Sequence, residues 1–307
     1  MPILTNPYLF IRPPELSALS SLPKFGQTTD PAHLAAALSV TRLCTLWTPD
    51  PRLDDGPALV ARIRGAWGHR LAAMAASGRG EAQSARAAFF PDKACGPDPR
   101  TAAPPYRIAA ATTPQGFDVT LALIGFSARW REVAFDALIH ALNGPPGLAL
   151  DWQGSRAACL RLIAADWTRS EGIAVPPAPN RVALDFATPL RIGPGDALGT
   201  TFGDVVVGLA DRGAQISRWT GLGFVPRLSH WRDVAKSLRF ESSALRPVVW
   251  DSYSSVNGRD RAAGYLGRLV IVAPDRDLMA LLAAGTILGA GRSPAKGCGR
   301  YSLAPAI

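Results

Sequence analysis

A chain of 307 residues is long enough to form one large or two ordinary domains, each with a hydrophobic core of its own. Its formal net charge of +9 favours a polyanionic partner. Only four of its 33 basic residues are lysines, and GC-rich coding, which favours arginine over lysine, is another source of this composition. Because no signal-like start, no bilayer-length apolar run and no Cys-x-x-Cys pair is present, we expect a cytoplasmic protein without membrane contact, zinc site, disulfide framework or cofactor.

The first long predicted helix is bounded by clear start and stop signals. Residues 1–58 begin with an extended apolar segment, and 32–46 fits either one helix or a helix followed by a strand. Asp55-Gly56-Pro57 is a typical helix start and Ser77-Gly78 a typical stop. The residues between them form an apolar stripe at helical spacing, which predicts a core-facing side: Val60, Ile63, Trp67, Leu71 and Met74.

Three histidines have different expected environments. Arg62 and His69 are seven residues apart and so lie on one flank of the apolar stripe, where a neutral histidine can accept a proton. His33, beside a proline at a helix start, is expected to be solvated or to cap the helix. His140 is expected to pack in the core.

The remainder of the first half reads as a mixture of strands and helices. Residues 79–105 are rich in Gly, Ala, Arg and Pro and predict a long loop. Residues 117–125 predict a strand and 129–143 a helix. Residues 148–152 and 158–163 predict a hairpin.

A proline-rich linker at 170–180 separates this half from a second one. The elements expected after it are strands at 181–186, 246–253, 265–273 and 299–303, helices at 202–219 and 275–284, and a helical or irregular stretch at 229–238. The order predicts an α+β protein with two tandem ferredoxin-like (RRM-like, βαββαβ) domains, residues 1–172 and 181–307.

The segment before the last strand concentrates glycines and cations. Three cations (Arg292, Lys296 and Arg300) lie among four glycines (Gly289, Gly291, Gly297 and Gly299). Glycine permits positive φ and close approach of backbone N–H groups to an anion, so such a loop can cradle phosphate. It follows a helix instead of preceding one, which excludes a Walker A loop and a dinucleotide fingerprint.

The run from Gly291 to Tyr301 resembles the C-terminal glycine-rich loop of the CRISPR-associated endoribonucleases that process precursor CRISPR RNA, the Cas six family of the RAMP superfamily. Three further stretches match that family in the same order: Leu59 to Leu71 with its Arg64-Gly-Ala-Trp-Gly-His-Arg70, Phe186 to Arg191, and Trp250 to Ser255 followed by Gly264 to Gly267.

The resemblance implies metal-independent RNA cleavage in which the ribose 2′-hydroxyl attacks the adjacent phosphate. It makes His69 the candidate general base or acid, with Arg62, Arg64 and Arg70 as the nearest cations. A structural or RNA-contacting role for His69, with arginines alone at the catalytic site, is the alternative.

The resemblance also implies RNA contacts by the glycine-rich loop and by residues ahead of the last long strand. The expected RNA-binding residues are Gly291, Arg292, Ser293, Lys296, Gly297, Gly299, Arg300, Tyr253, Arg259 and Arg261. Tyr253 could equally belong to the core, and the two arginines to a solvated turn. The loop departs from the family at Pro294 and at Lys296, where an aromatic residue is common.

The resulting hypothesis is an endoribonuclease that binds the CRISPR repeat, cuts precursor crRNA and stays on the guide with other effector-complex subunits. A non-catalytic RAMP subunit that only holds guide RNA is the first alternative. A basic structural or protein-interaction subunit is the second, and steep salt dependence of RNA affinity would exclude it.

Overall fold

The computed structural model describes residues 26–53, 56, 58–90, 103–145, 147–149, 157–192, 202–254 and 258–306. The α-helices are α1 (Pro31–Ala37), α2 (Ala58–Ala76), α3 (Gly80–Phe89), α4 (Arg131–Asn143), α5 (Gly203–Ser217), α6 (Leu228–Ser237) and α7 (Arg276–Leu288). The strands are β1 (Gln27–Thr28), β2 (Ser39–Trp47), β3 (Tyr106–Thr113), β4 (Gly116–Ile124), β5 (Leu148–Ala149), β6 (Ala157–Ala158), β7 (Leu162–Glu171), β8 (Arg181–Leu190), β9 (Gly223–Phe224), β10 (Arg239–Glu241), β11 (Leu245–Ser254), β12 (Gly258–Val272) and β13 (Tyr301–Pro305). None of these helices has the length and apolar character that a bilayer crossing requires.

The first half is a four-stranded antiparallel sheet covered by helices. The strands lie side by side in the order β3-β4-β2-β7, while the chain runs β2, α2, β3, β4, α4, β7. The first strand of this βαββαβ unit therefore lies between the third and the fourth, as in ferredoxin-like folds. Leu43 and Trp47 on one face of β2 are fully buried, whereas Cys44 on the other face is exposed. Ile63 and Trp67 of α2 complete the same core.

The second half repeats this arrangement. Its sheet has the order β10-β12-β8-β13, with β11 also paired to β12, and all its pairs are antiparallel. In chain order it runs β8, α5, β11, β12, α7, β13, so β8 again lies between the third and fourth strands of the unit. Leu184, Val206 and Leu281 are fully buried in its core. The predicted α+β class with two ferredoxin-like halves is confirmed.

The two halves share a third core cluster. Leu34 and Leu38, in and just after α1, pack in one cluster with Ala284 and Leu288 of α7. β1 also pairs in parallel with β9 of the second half. The first described elements of the chain thus lie against its second half. The chain between β7 and β8 has neither helix nor strand, which is where the sequence places the linker.

Capping residues fix the helix limits that the sequence indicates. The carboxylate of Asp275 accepts a hydrogen bond from the backbone N–H of Leu278 at 2.7 Å and starts α7 as predicted. Asp30 does the same for Ala32 at the start of α1. After α2, Gly78 adopts a φ of +84°, which confirms the predicted stop.

One predicted loop is wrong in part. Residues 80–89, expected within a loop at 79–105, form α3. Ala82, Ala85 and Phe89 are fully buried on one side of that helix. Alanine has the highest helix propensity, so the small residues that resemble loop composition here support a helix. Residues 91–102, the rest of that expected loop, lie outside the described residues.

Several strands differ from the expectation. The segment 32–46 is a helix followed by a strand, one of the two alternatives. The predicted hairpin forms with Leu148 opposite Ala158, and its connection lies outside the described residues. β3 and β7 were not predicted, because β3 has an Ala-Ala-Ala centre and β7 is exposed along most of its length. β12 begins at Gly258, well before the predicted 265, so Arg259 and Arg261 lie inside the strand.

Candidate functional site

The segment 289–300, which we call the terminal loop, connects α7 to β13 through a series of left-handed residues. Gly289, Gly291, Gly297 and Gly299 have φ values of +79°, +70°, +86° and +68°. Ser293 has a φ of +61°, a conformation that costs a non-glycine residue energy and that clusters at functional sites. The glycines predicted for positive φ are therefore confirmed in that role.

The backbone N–H groups of the terminal loop are largely engaged within the protein. The N–H of Arg292 donates to the carbonyl of Arg191 at 2.7 Å and that of Gly299 to the carbonyl of Pro189 at 2.9 Å. Six more N–H groups of the loop donate to carbonyl or hydroxyl oxygens of the protein, those of Gly289, Ala290, Lys296, Gly297, Cys298 and Arg300. At these positions the backbone cradle for phosphate that the sequence predicts does not form, because its donors already have acceptors. Contacts with a phosphate would fall to side chains.

The terminal loop is docked on the first turn of α2. A Cβ atom at Gly297 would lie 2.6 Å from Cγ1 of Val60, so only glycine lets the loop approach this closely. Ala295 packs against the core of the first half. The loop of the second half thus meets the helix that carries the predicted catalytic residues.

Side chains around the loop present positive charge. Arg292 is exposed, while Lys296 and Arg300 are half-buried. Arg191 donates from Nη1 to the Ser293 hydroxyl at 3.3 Å, and its guanidinium carbon lies 5.9 Å from the centroid of the Trp250 ring. Sequence reasoning did not assign a role to Arg191 or Trp250. Both lie in stretches that resemble the family, which was the only signal for them.

Arg64 of α2 is held against the first half's core. Its Nε donates to the hydroxyl of Tyr106 at 2.6 Å, and its guanidinium lies 4.8 Å above the Phe90 ring. Burial raises the pKa of Tyr106 to about 12, so its hydroxyl stays protonated at neutral pH. Arg62 and Arg70 are half-buried on the same helix.

His69 is exposed on α2 and is separated from the terminal loop. It follows Val60 by nine residues, which is about 13 Å along the axis and about half a turn around it. Arg64 is one turn from Val60, roughly 6 Å along the axis. The structure thus brings the terminal loop close to the Arg64 turn of α2, and His69 lies farther along the helix.

The β11–β12 hairpin borders the same region, since β11 contacts α2. Arg261 is exposed on β12 and is paired in register with Asp251 of β11. Tyr253 and Arg259 are paired in register near the end of the hairpin, and their side chains lie outside the described residues.

The remaining histidines and the cysteines lie elsewhere. His140 was expected in the core and is exposed, with its ring Nδ1 2.7 Å from the backbone carbonyl of Asp136. That prediction was wrong because the helix turns its apolar neighbours inward and His140 outward. His33 is solvated as expected. Within the described ranges no disulfide forms among Cys44, Cys159 and Cys298, and no group of three or more His, Cys, Asp or Glu side chains is placed to hold a metal.

The fold of the chain is similar to that of a solved structure. A Cas6 (TTHA0078) product complex matches with a TM-score of 0.52 and 14% sequence identity, over 87% of this chain and 99% of that chain. The chain has the Cas6 fold. A product complex of Cas6 (TTHB231) from Thermus thermophilus gives a TM-score of 0.49 and 15% identity over 89% and 100% of the two chains. A structure described as a RAMP protein binding different RNA substrates gives 0.42 and 12% over 87% and 99%.

The Cas6 fold agrees with the family resemblance of the terminal loop. No family model and no curated protein sequence matches the chain. At these identities the likeness is one of fold.

Proposed function

We propose that the chain is an RNA-binding endoribonuclease that cuts precursor CRISPR RNA within its repeat. The observation that carries the proposal is the docking of a cation-bearing terminal loop on the first turn of α2, in a protein with the Cas6 fold and a net charge of +9. RNA lying across this junction would contact Arg292 and Arg300 of the loop and Arg261 of the hairpin. Phosphate contacts by such side chains supply most of the affinity of non-specific nucleic-acid binding.

The proposed reaction needs no metal ion and proceeds within one strand of RNA. The ribose 2′-oxygen attacks the adjacent phosphorus, the new O2′–P bond forms and the O5′–P bond breaks. A base accepts the proton of the 2′-hydroxyl, and an acid protonates the departing 5′-oxygen. Cations stabilise the negative charge of the phosphorane that forms on the way to the products. The products are a 2′,3′-cyclic phosphate and a 5′-hydroxyl.

His69 is the proposed general base or acid, and Arg62 and Arg64 are the proposed phosphorane contacts. His69 is exposed and hence open to substrate. Arg64 holds a fixed position through Tyr106 and Phe90, which suits an electrostatic role because a pre-oriented cation needs no reorganisation in the transition state. Arg62, seven residues before His69, lies on the same side of α2 and about 10 Å along the axis, so an RNA strand following that side would contact both. Arg64 lies about 8 Å along the axis from His69 and about 140° around it, so the strand would have to cross the helix to reach it.

The alternative is a non-catalytic subunit that holds guide RNA. The separation of His69 from the terminal loop is the observation that favours this alternative over the nuclease. In either case we expect the RNA to be retained and other CRISPR effector subunits to bind the complex in the cytoplasm.

The test is to incubate the purified chain, in EDTA, with labelled RNA that carries the CRISPR repeat adjacent to its gene. A single cut that leaves a cyclic phosphate supports the nuclease, and tight binding without a cut supports the guide-holding subunit. His69→Ala should slow single-turnover cleavage by about 100-fold or more and leave RNA affinity within about twofold. His140→Ala is the matched control, an exposed histidine on another helix, and should cleave normally.

An unchanged rate for His69→Ala would refute the histidine assignment. The arginine-only site would then be tested with Arg62→Ala and Arg64→Lys. If the wild-type chain neither binds nor cuts the RNA, the proposed function as a whole is refuted.

A further inference from the structure

Arg107 joins the two halves at a point behind the terminal loop. It lies on β3, at the edge of the first sheet, and is almost fully buried. Its Nη1 donates to the carbonyl of Ile287 at 3.3 Å and its Nη2 to the carbonyl of Cys298 at 3.4 Å. One side chain of the first half therefore contacts both the last turn of α7 and the terminal loop.

Arg212 binds the same helix end. It lies on α5, and its Nε donates to the carbonyl of Leu288 at 2.7 Å. The last carbonyls of a helix have no N–H donor within the helix, and they carry partial negative charge. The last turn of α7 contains no basic residue of its own. Two arginines from distant parts of the chain thus supply the donors that this helix end lacks.

Both guanidinium groups are buried. In the described part of the chain neither Arg107 nor Arg212 forms an ion pair, and Nη2 of Arg212 is buried with no hydrogen-bond partner. Burial, and the mutual repulsion of the two cations, lower the pKa of Arg107 to about 9, so it remains charged at neutral pH. Apolar side chains of similar size would fill such a position at lower desolvation cost. What arginine adds is reach and several donors in fixed geometry.

The contact with the terminal loop is close. A Cβ atom at Gly289 would lie 2.4 Å from Nη1 of Arg107, and Gly289 is the first residue after α7. We propose that Arg107 and Arg212 are positioning residues that fix the terminal loop and the end of α7 against the first half. The proposal rests on the proposed function in one respect, since what they position is the set of RNA contacts on the loop.

Hydrogen exchange tests the positioning without any RNA. Arg107→Met keeps the apolar stem and removes both donors. The N–H groups of Ala290 and Gly299, which close the loop onto its neighbours, should then exchange about tenfold faster. Arg107→Lys retains one donor and should lie between Met and wild type.

Arg42→Met is the matched control. Arg42 and Arg107 are both paired in register with Ala122, from opposite sides of β4, so they lie on the same face of the sheet. Arg42 donates to the Ser170 hydroxyl at 3.0 Å and does not reach the loop in this structure. Its variant should leave the exchange of the loop unchanged.

RNA binding supplies the second readout. Arg107→Met should weaken repeat RNA binding about tenfold while the slope of log affinity against log salt stays at the wild-type value, because Arg107 contacts no phosphate. Arg292→Ala should instead lower that slope by about one. A merely destabilising change could also weaken binding at an unchanged slope, but it would not accelerate exchange in the terminal loop alone.

The outcomes separate the two proposals. Wild-type loop exchange in Arg107→Met, or equal acceleration in Arg42→Met, would overturn the positioning role. If Arg107→Met fails to fold, Arg212→Met serves in its place, and the N–H of Gly289 at the end of α7 should exchange faster in it; unchanged exchange there would overturn the role as well. Absence of RNA binding by the wild type would refute only the proposed function, since the exchange data stand without it.

Discussion

Replacing Gly299 by alanine should destabilise the protein strongly, because the backbone at this position leaves no room for a side chain. A Cβ atom at Gly299 would lie 1.8 Å from the carbonyl oxygen of Ala290, and the residue has a φ of +68°. A left-handed alanine costs about 1–2 kcal/mol. Relief of the clash also breaks two hydrogen bonds of 2.9 Å, to Ala290 and to Pro189, each worth roughly 1 kcal/mol. We therefore expect a loss of about 3–4 kcal/mol in the free energy of unfolding.

Thermal and urea unfolding measure this loss. Since 1 kcal/mol corresponds to roughly 1.5 °C in a protein of this size, the thermal midpoint of Gly299→Ala should fall by at least about 4 °C. Gly65→Ala is the control: Gly65 is inside α2, nothing lies within 4 Å of its added Cβ, and the substitution should stabilise by about 0.5–1 kcal/mol. If Gly299→Ala is as stable as wild type, packing does not require the loop glycines. The phosphate cradle formed by their backbone would then be the better explanation for them.

Three further predictions concern separate parts of the molecule. Arg292→Ala should weaken RNA binding and release about one counterion fewer, measured as the salt slope of affinity, with no change in melting temperature, since the side chain is exposed; a fall in melting temperature would contradict this. Asp275→Ala should cost about 1 kcal/mol in urea unfolding because it removes the cap on the Leu278 N–H, and an unchanged midpoint would show that α7 needs no cap. Burial raises the pKa of Tyr106 to about 12 from 10.0, so the unfolded chain ionises first and stability falls as pH rises between these values. Tyr106→Phe should lose less stability between about pH 9 and about pH 11 than wild type, and an equal loss would exclude Tyr106 as its source.

The sequence predicts those elements whose local pattern and tertiary surroundings agree. α2 was predicted from its stripe and its end signals, because it buries one continuous face. α7 was predicted from Asp275 and its leucines, and it is buried on all sides from Leu278 to Gly285. β7 escaped prediction because an edge strand exposed along most of its length carries no apolar alternation. α3 was missed because alanine is common in both loops and helices, and only packing against Trp67 through Phe89 distinguishes them here.

The candidate site shows the same division. The positive φ values at Gly297 and Gly299 followed from residue type alone. The N–H groups of these glycines donate to the carbonyls of Pro294 and Pro189, and the sequence pattern did not indicate these acceptors. Arg107 was not singled out, because nothing in β3 indicates that an arginine there is buried by the other half of the chain. Burial across two halves is a property of tertiary structure, and a local reading of sequence has no access to it.

During synthesis, α1 leaves the ribosome long before the helix it packs against. About 240 residues separate the end of α1 from the start of α7, and at roughly 5–20 residues per second their synthesis takes about 12–50 s. Until α7 is made, Leu34 and Leu38 have no complete apolar cluster to enter. The nascent first half therefore exposes apolar surface throughout this interval, a feature that chaperones bind and proteases exploit. A chain terminated before residue 276 would keep that surface permanently, so the last helix determines whether the first one is buried.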